Sequence, residues 1–277
     1  MRKFVLLGYP LGHTMSPPIH ERLFLLAMNR DAVYEAAPFP PEEFDEKVKG
    51  YLAYDGLNVT IPYKRTIIPY LDQLDDTARL YGAVNVVKGG AQTIGYNTDA
   101  IGFTRSIQSL GADLSGSVLL LGCGGAGRMM AIETARNGGR LTIAVRPSDL
   151  PVAEELKAEI AQIVPRASVA VTTLDAVEGS FDLLANATPV GMYPNIDASP
   201  VGEDVVSRCG MVFDAVYNPR YTKLLQTADR LGLPAAGGMS MLVWQAVAAH
   251  EIWDGSSYRE EDIQSLIQEM AERVKQQ

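Results

Sequence analysis

Val118-Leu119-Leu120-Leu121-Gly122-Cys123-Gly124-Gly125-Ala126-Gly127 is the stretch on which the fold turns. Four consecutive apolar residues suit a strand buried on both faces, as in a parallel sheet covered by helices. The run enters Gly122-x-Gly124-x-x-Gly127 directly, and helical spacing follows through about Asn137. Alone the three glycines read as an ordinary tight turn. Between a buried strand and a helix they read as a dinucleotide cradle. The first permits the tight turn, the second lets backbone approach a pyrophosphate, and the third lets helix and strand pack closely; the helix N-terminus faces the anion. Gly122, Gly124, Gly125, Ala126 and Gly127 are thus candidate cofactor contacts.

Strand-like and helix-like segments alternate on both sides of this stretch. Downstream come a strand at Leu141–Val145, a helix at Val152–Ile163, and strands at Ser168–Val171, Asp182–Asn186 and Met211–Asp214. Upstream, Phe4–Leu7, Ala32–Ala36 and Leu57–Thr60 read as strands, with helices at Pro18–Met28 and Pro41–Tyr51. Such alternation predicts an α/β protein built from βαβ units. Thr98–Leu110 carries the chain between domains, and two helices beyond Gly237-Gly238, Met241–Trp253 and Glu260–Lys275, return to the first. The expectation is an N-terminal α/β substrate-binding, catalytic domain (residues 1–101 with 239–277) and a Rossmann-type doubly wound dinucleotide-binding domain (102–238).

The 277 residues carry a net charge of -9, which repels phosphate backbones and anionic lipid and argues against nucleic acid or membrane as partners. An anionic ligand must then be met by a local set of donors. Two cysteines and three histidines are too few for a disulfide framework or a protein metal site, and suit a reducing cytoplasm. The apolar run after Met1-Arg2-Lys3 is too short for a signal peptide and reads as a first strand. No stretch approaches the roughly 20 apolar residues of a membrane span. Monomer and homodimer are both open.

The strand after the glycine loop ends in Val145-Arg146-Pro147. An acidic residue there would bond a ribose 2′-hydroxyl and repel a 2′-phosphate. Arg146 instead offers a guanidinium that pairs with phosphate or stacks on adenine, which favours NADP over NAD. The alternative is a solvated Arg146 with Asp149 serving an NAD ribose.

In the first half, polar residues gather at strand ends and turns, where α/β folds place ligands. Thr14 and Ser16 alternate after the first strand, so both hydroxyls can face one ligand. Asn58-Val59-Thr60-Ile61-Pro62-Tyr63-Lys64 ends another strand and turns into a helix at Pro62. Gly82-Ala83-Val84-Asn85 and Gly95-Tyr96-Asn97-Thr98-Asp99 complete the set. Each has a local structural reading too: Thr98 as a cap, Pro62 as a helix start, Asn85 and Asn97 as turn formers. A lysine at a helix start opposes the helix dipole, so Lys64 suits a functional role better than a structural one.

These residues closely resemble the shikimate dehydrogenase family. The resemblance rests on Gly8-x-Pro10-x-x-His13-Thr14-x-Ser16-Pro17-x-x-His20, Gly56-x-Asn58-Val59-Thr60-x-Pro62-x-Lys64, Gly82-Ala83-Val84-Asn85 and Gly95-x-Asn97-Thr98-Asp99-x-x-Gly102. Farther on, Asn186-Ala187-Thr188-Pro189-x-Gly191-Met192, Asp214-x-x-Tyr217-x-Pro219 and Met241-Leu242-x-x-Gln245-Ala246 continue it in family order to about residue 253.

The resemblance implies reversible, NADPH-dependent reduction of 3-dehydroshikimate to shikimate, a step of aromatic amino acid and chorismate biosynthesis. It implies that Lys64 and Asp99 form the catalytic pair, that Thr14 and Ser16 hold the substrate carboxylate, and that Asn58, Thr60, Asn85, Asp99 and Gln245 fix the ring hydroxyls. Tyr217 would lie near substrate and nicotinamide, with Thr188 and Gly238 among the cofactor contacts. A lysine ammonium can stabilise charge growing on a carbonyl oxygen and deliver a proton, and an adjacent carboxylate orients it. Which of the two is the formal acid–base group is open. Family members usually carry serine at Thr14, an acidic residue at Arg65, threonine at Val86 and Asn-Arg-Thr at Val145-Arg146-Pro147. Quinate/shikimate dehydrogenases using NAD, and a non-catalytic ligand sensor, are the neighbouring readings.

Overall fold

The computed structural model describes residues 1–12 and 14–274. His13, of the N-terminal motif, and Lys275, the expected end of the last helix, lie outside the described residues. The chain opens with β1 (Arg2–Gly8), α1 (Ser16–Leu26), β2 (Ala32–Pro38), α2 (Phe44–Tyr51), β3 (Gly56–Val59), β4 (Gln73–Leu74), α3 (Asp76–Tyr81), β5 (Val86–Lys88) and β6 (Ile94–Tyr96). It continues through α4 (Asp99–Gln108), β7 (Ser117–Leu121), α5 (Gly125–Arg136), β8 (Arg140–Val145), α6 (Leu150–Ile163), β9 (Ser168–Thr173) and β10 (Leu183–Asn186). Last come α7 (Glu203–Val206), β11 (Val212–Asp214), α8 (Lys223–Arg230), β12 (Ala235–Gly237), α9 (Gly238–Asp254) and α10 (Glu260–Arg273).

Two compact units result. The first holds Met1–Gly102 and Leu242–Met270; the second holds Phe103–Met241 and the chain from Ala271. α4 and α9 run unbroken through the boundaries between them.

The first unit has a mixed sheet in the order β2-β1-β3-β5-β6-β4. β1 pairs in parallel with β2 and β3, while β5 runs antiparallel to β3 and β6. Asn58 of β3 lies opposite Val86, and Val86 lies opposite Tyr96. The residues just past β3, just before β5 and just after β6 therefore meet at one edge of the sheet. That edge is also the carboxyl end of β1, where α/β sheets bind ligands. Phe4, Val5, Leu7, Leu57, Val86 and Val87 are fully buried beneath it. The Trp253 indole donates to the Val87 carbonyl at 2.9 Å and ties α9 to β5.

The second unit has an all-parallel sheet in the order β12-β11-β10-β7-β8-β9. This is the doubly wound order, with β7 and β10 at the point where winding reverses. Val118–Leu121 is buried on both faces, as the apolar run predicts.

Three local expectations fail. No regular helix starts at Pro62: residues 61–67 form consecutive turns, and the Lys64 carbonyl accepts from Val84 N at 2.7 Å. A carbonyl held by the loop before β5 cannot propagate a helix, so the dipole argument for Lys64 falls away. Gly95 and Tyr96 belong to β6 rather than to a turn. α1 stops at Leu26, two residues early, because Met28 adopts a left-handed φ of 56°.

Candidate active site

Lys64 leaves β3 on the turn segment, its backbone pinned beside Asn85 by the Val84–Lys64 bond. Asp99 is the first residue of α4, and its backbone N–H donates to Asn97 Oδ1 at 3.1 Å. Those two anchors bring Lys64 Nζ to 2.5 Å from Asp99 Oδ2. The other carboxylate oxygen, Oδ1, accepts from Asn85 Nδ2 at 2.9 Å.

The Asn85 amide has one possible orientation. Its Oδ1 accepts from Thr98 N at 2.7 Å, so its nitrogen must face Asp99. The same nitrogen lies 3.1 Å from Thr98 Oγ1 and 3.4 Å from Gln245 Oε1. Two hydrogens cannot serve three acceptors fully, which makes the long Gln245 contact the weakest. Thr98 donates its hydroxyl to the Gln245 carbonyl at 3.0 Å, linking α9 to the start of α4. Asn58 Nδ2 donates to the Asn85 carbonyl at 3.4 Å. Lys64, Asp99, Asn85, Gln245 and Asn58 thus form one hydrogen-bonded cluster. Side-chain exposures of 29% for Lys64 and 23% for Asp99 leave the reactive end open while Asn58, Asn85 and Thr98 are buried.

Thr14 and Ser16 stand together at the start of α1, where Ser16 N donates to Thr14 Oγ1 at 3.3 Å. Thr60 follows β3, with its N–H on the Leu7 carbonyl at 2.8 Å. The carboxyl ends of β1 and β3 therefore place Thr60 beside the loop that carries Thr14.

Tyr217 and the expected cofactor residues lie in the second unit. Tyr217 follows β11, and burial raises its phenol pKa. The glycine loop has the shape that a dinucleotide cradle requires. Gly122 has φ 91°, which excludes ordinary side chains. A Cβ on Gly127 would sit 2.3 Å from the Gly122 carbonyl oxygen, whereas Gly124 and Gly125 face open space. No side chain caps the start of α5, so its first-turn N–H groups are available to an anion. Thr188 packs against the loop: a Cβ on Gly122 would lie 2.8 Å from its methyl. Its hydroxyl donates to Asn186 Oδ1 at 2.7 Å. Gly238 N donates to the Val216 carbonyl at 3.1 Å, and a Cβ there would overlap the Ala215 carbonyl. Arg146 is exposed at the end of β8, with its Nε 2.8 Å from Asp149 Oδ2.

Known proteins resemble this chain in sequence and fold. The model of the shikimate dehydrogenase substrate binding domain matches residues 6–87. A shikimate dehydrogenase (NADP+) of Shouchella clausii is 39% identical over 263 residues, which is 92% of this chain and 93% of that protein. The chain belongs to the shikimate dehydrogenase family. A crystal structure of a family member in complex with NADP+ superposes with a TM-score of 0.89 at 33% identity, covering 100% of this chain and 96% of that one. The Thermus thermophilus enzyme, in complex with NADP(H) and shikimate, gives 0.83 at 29% identity over 98% of this chain and 100% of that one.

One site residue escapes sequence reasoning. Tyr34 of β2 donates its hydroxyl to Asn58 Oδ1 at 2.7 Å, and the Ser16 side chain hydrogen-bonds the same phenol. Burial pushes the Tyr34 phenol well above its usual range, so it stays a neutral donor. With its oxygen taken by Tyr34, Asn58 keeps its amide nitrogen as a donor. Behind Tyr34, the fully buried His20 stacks on its ring at 4.3 Å, and His20 Nδ1 lies 3.0 Å from His250 Nε2. His250 Nδ1 in turn meets the Tyr258 hydroxyl at 2.8 Å. Burial lowers both histidines, His250 to about 4, so both are neutral at pH 7. A lone aromatic in a half-buried strand reads as core, and nothing in the sequence distinguishes Tyr34 from one.

Among the described residues no group of His, Cys, Asp or Glu is arranged to hold a metal, and no helix is long and apolar enough to cross a membrane.

Proposed function

We propose that this chain is an NADP-dependent shikimate dehydrogenase, reversibly reducing 3-dehydroshikimate to shikimate in the cytoplasm as a step of aromatic amino acid biosynthesis. The observation that carries the reading is Lys64 Nζ at 2.5 Å from an Asp99 carboxylate whose second oxygen is fixed by Asn85. NADPH supplies the hydride to the ketone carbon. The Gly122–Gly127 loop, the uncapped start of α5 and Arg146 hold the dinucleotide, with Thr188 packed on the loop and Tyr217 and Gly238 adding further contacts.

Thr14 and Ser16 take the substrate carboxylate with neutral hydroxyl donors, which suits an anion on a protein of charge -9. Asn58, Thr60, Asn85 and Gln245 orient the ring hydroxyls. As negative charge grows on the ketone oxygen, the Lys64 ammonium faces it. Asp99 aims that ammonium, and the pair together supplies the proton. In the reverse direction the same pair takes the hydroxyl proton as hydride leaves.

Parallel assays of shikimate and quinate, each with NADP+ and NAD+, test the reading. NADP+-dependent oxidation of shikimate is the expected result. Shikimate binding by calorimetry without turnover of either dinucleotide would make the chain a ligand sensor instead.

A further inference from the structure

The last residues of neighbouring strands in the second unit stand in one row. Leu121 of β7 is the register partner of Asn186 of β10, Asn186 of Asp214 of β11, and Asp214 of Gly237 of β12. These positions lead into Gly122, Thr188, Tyr217 and Gly238, the residues assigned above to the cofactor side. The middle pair, Asn186 and Asp214, is polar and fully buried. An apolar pair would hold β10 on β11 without the cost of taking a carboxylate out of water.

The hydrogen bonds of the pair run to the loops. Asp214 Oδ1 accepts from Asn186 Nδ2 at 2.9 Å and from Val216 N at 3.0 Å, while Oδ2 accepts from the Thr222 hydroxyl at 2.6 Å. With its NH2 on that carboxylate, Asn186 turns Oδ1 to Thr188. There it accepts from the backbone N–H at 3.0 Å and from the hydroxyl at 2.7 Å. Both bonds together fix the Thr188 side chain, whose methyl packs on Gly122. On the other side, Ala215 N donates to the Asn186 carbonyl at 2.9 Å, and the Val216 carbonyl accepts from Gly238 N at 3.1 Å.

We propose that Asp214 and Asn186 are positioning residues for the dinucleotide, a buried relay that sets Thr188 against the glycine loop and fixes the turn leading into Tyr217. The proposal rests on the dinucleotide-binding reading above. The carboxylate orients the Asn186 amide, the amide orients Thr188, and Thr188 shapes the loop that meets the pyrophosphate.

Calorimetric titration of the full chain with NADP+, with a thermal melt of each variant, tests this. Asn186→Ala takes the acceptor from Thr188 and should raise the NADP+ Kd about ten-fold. Asp214→Ala should do the same. Asp214→Asn keeps an oxygen for Asn186 and Val216 and turns its NH2 to the Thr222 oxygen, so its Kd should stay within about three-fold of the unaltered chain. Thr222→Val cuts the third bond of Asp214 and the cap of α8, where Thr222 Oγ1 accepts from Leu225 N at 3.3 Å. It should lower the melting temperature and leave the Kd unchanged. A pair that only held the sheet together would move the melting temperature and not the affinity. Folded alanine variants that bind NADP+ like the unaltered chain therefore overturn the proposal, as does a Thr222→Val chain that loses affinity equally. Asn186→Ala decides alone if Asp214→Ala does not fold. An unaltered chain that binds no NADP+ is a separate outcome, the failure of the dinucleotide-binding reading itself.

Discussion

Replacing Asp99 by asparagine changes one atom of the site and has a consequence fixed by its neighbours. Asp99 presents two oxygens to two donors: Oδ2 to Lys64 Nζ at 2.5 Å and Oδ1 to Asn85 Nδ2 at 2.9 Å. An asparagine offers one oxygen and one NH2. Asn85 cannot turn to present its own oxygen, because that atom accepts Thr98 N at 2.7 Å. One of the two contacts must then become donor against donor, and in either orientation Lys64 loses its anionic partner. A hydrogen bond to a charged group contributes about 1.5–3 kcal/mol, and about 1.4 kcal/mol is a decade of rate. With both side chains less than a third exposed, solvent screens the pair only in part. The expected loss in kcat is therefore between about ten-fold and about a hundred-fold. NADP+ affinity should be unchanged, because the cradle lies in the other unit. Initial rates from NADPH absorbance, with calorimetric NADP+ binding and a thermal melt as controls, measure this. An Asp99→Asn enzyme with kcat within about two-fold of the unaltered chain would refute the reasoning.

Other outcomes follow from the same geometry. Gly127→Ala places a Cβ 2.3 Å from the Gly122 carbonyl oxygen. Overpacking of about 1–3 kcal/mol should push the loop off α5 and raise the dinucleotide Kd about ten-fold, read by calorimetry; an unchanged Kd would count against the cradle. The buried histidines make stability depend on pH. In the folded chain His250 titrates at about 4, against about 6.5 when unfolded, so the unfolded state binds the extra proton between those values. Folding stability should be level above about pH 7 and fall on acidification, by about 2 kcal/mol at pH 5 from His250 alone, with His20 acting in the same direction. Urea midpoints at pH 7.5 and pH 5 measure the fall, and equal midpoints would show that the pair is not held neutral.

The fold is legible wherever burial forces a pattern. Val118–Leu121 runs apolar because β7 is covered on both faces, and the glycines after it mark a turn where Gly122 needs a left-handed φ and Gly127 a missing Cβ. The short β4, β5 and β6 are not legible, since two or three residues carry no period, and their register is set by β3 rather than by propensity. The Lys64 segment misleads for a related reason. Pro62 looks like a helix start, but the Lys64 carbonyl is claimed by Val84, a bond between residues twenty positions apart. At the site, Lys64, Asn85 and Asp99 are visible as polar residues at turns. The support from Tyr34, His20, His250 and Tyr258 is not, because aromatic and histidine side chains in buried elements look like packing until their hydrogen bonds are seen. The engagement of Arg146 by Asp149 is equally hidden, because spacing alone does not tell whether an arginine is paired.

The central claim is that the Lys64–Asp99 pair supplies the proton for an NADP-dependent ketone reduction. Its most direct test is single-turnover shikimate oxidation by the unaltered chain and by Lys64→Ala, each first shown to bind NADP+. Loss of the ammonium should slow NADPH formation by at least about a hundred-fold while NADP+ binding stays intact. Full turnover by Lys64→Ala would contradict the account.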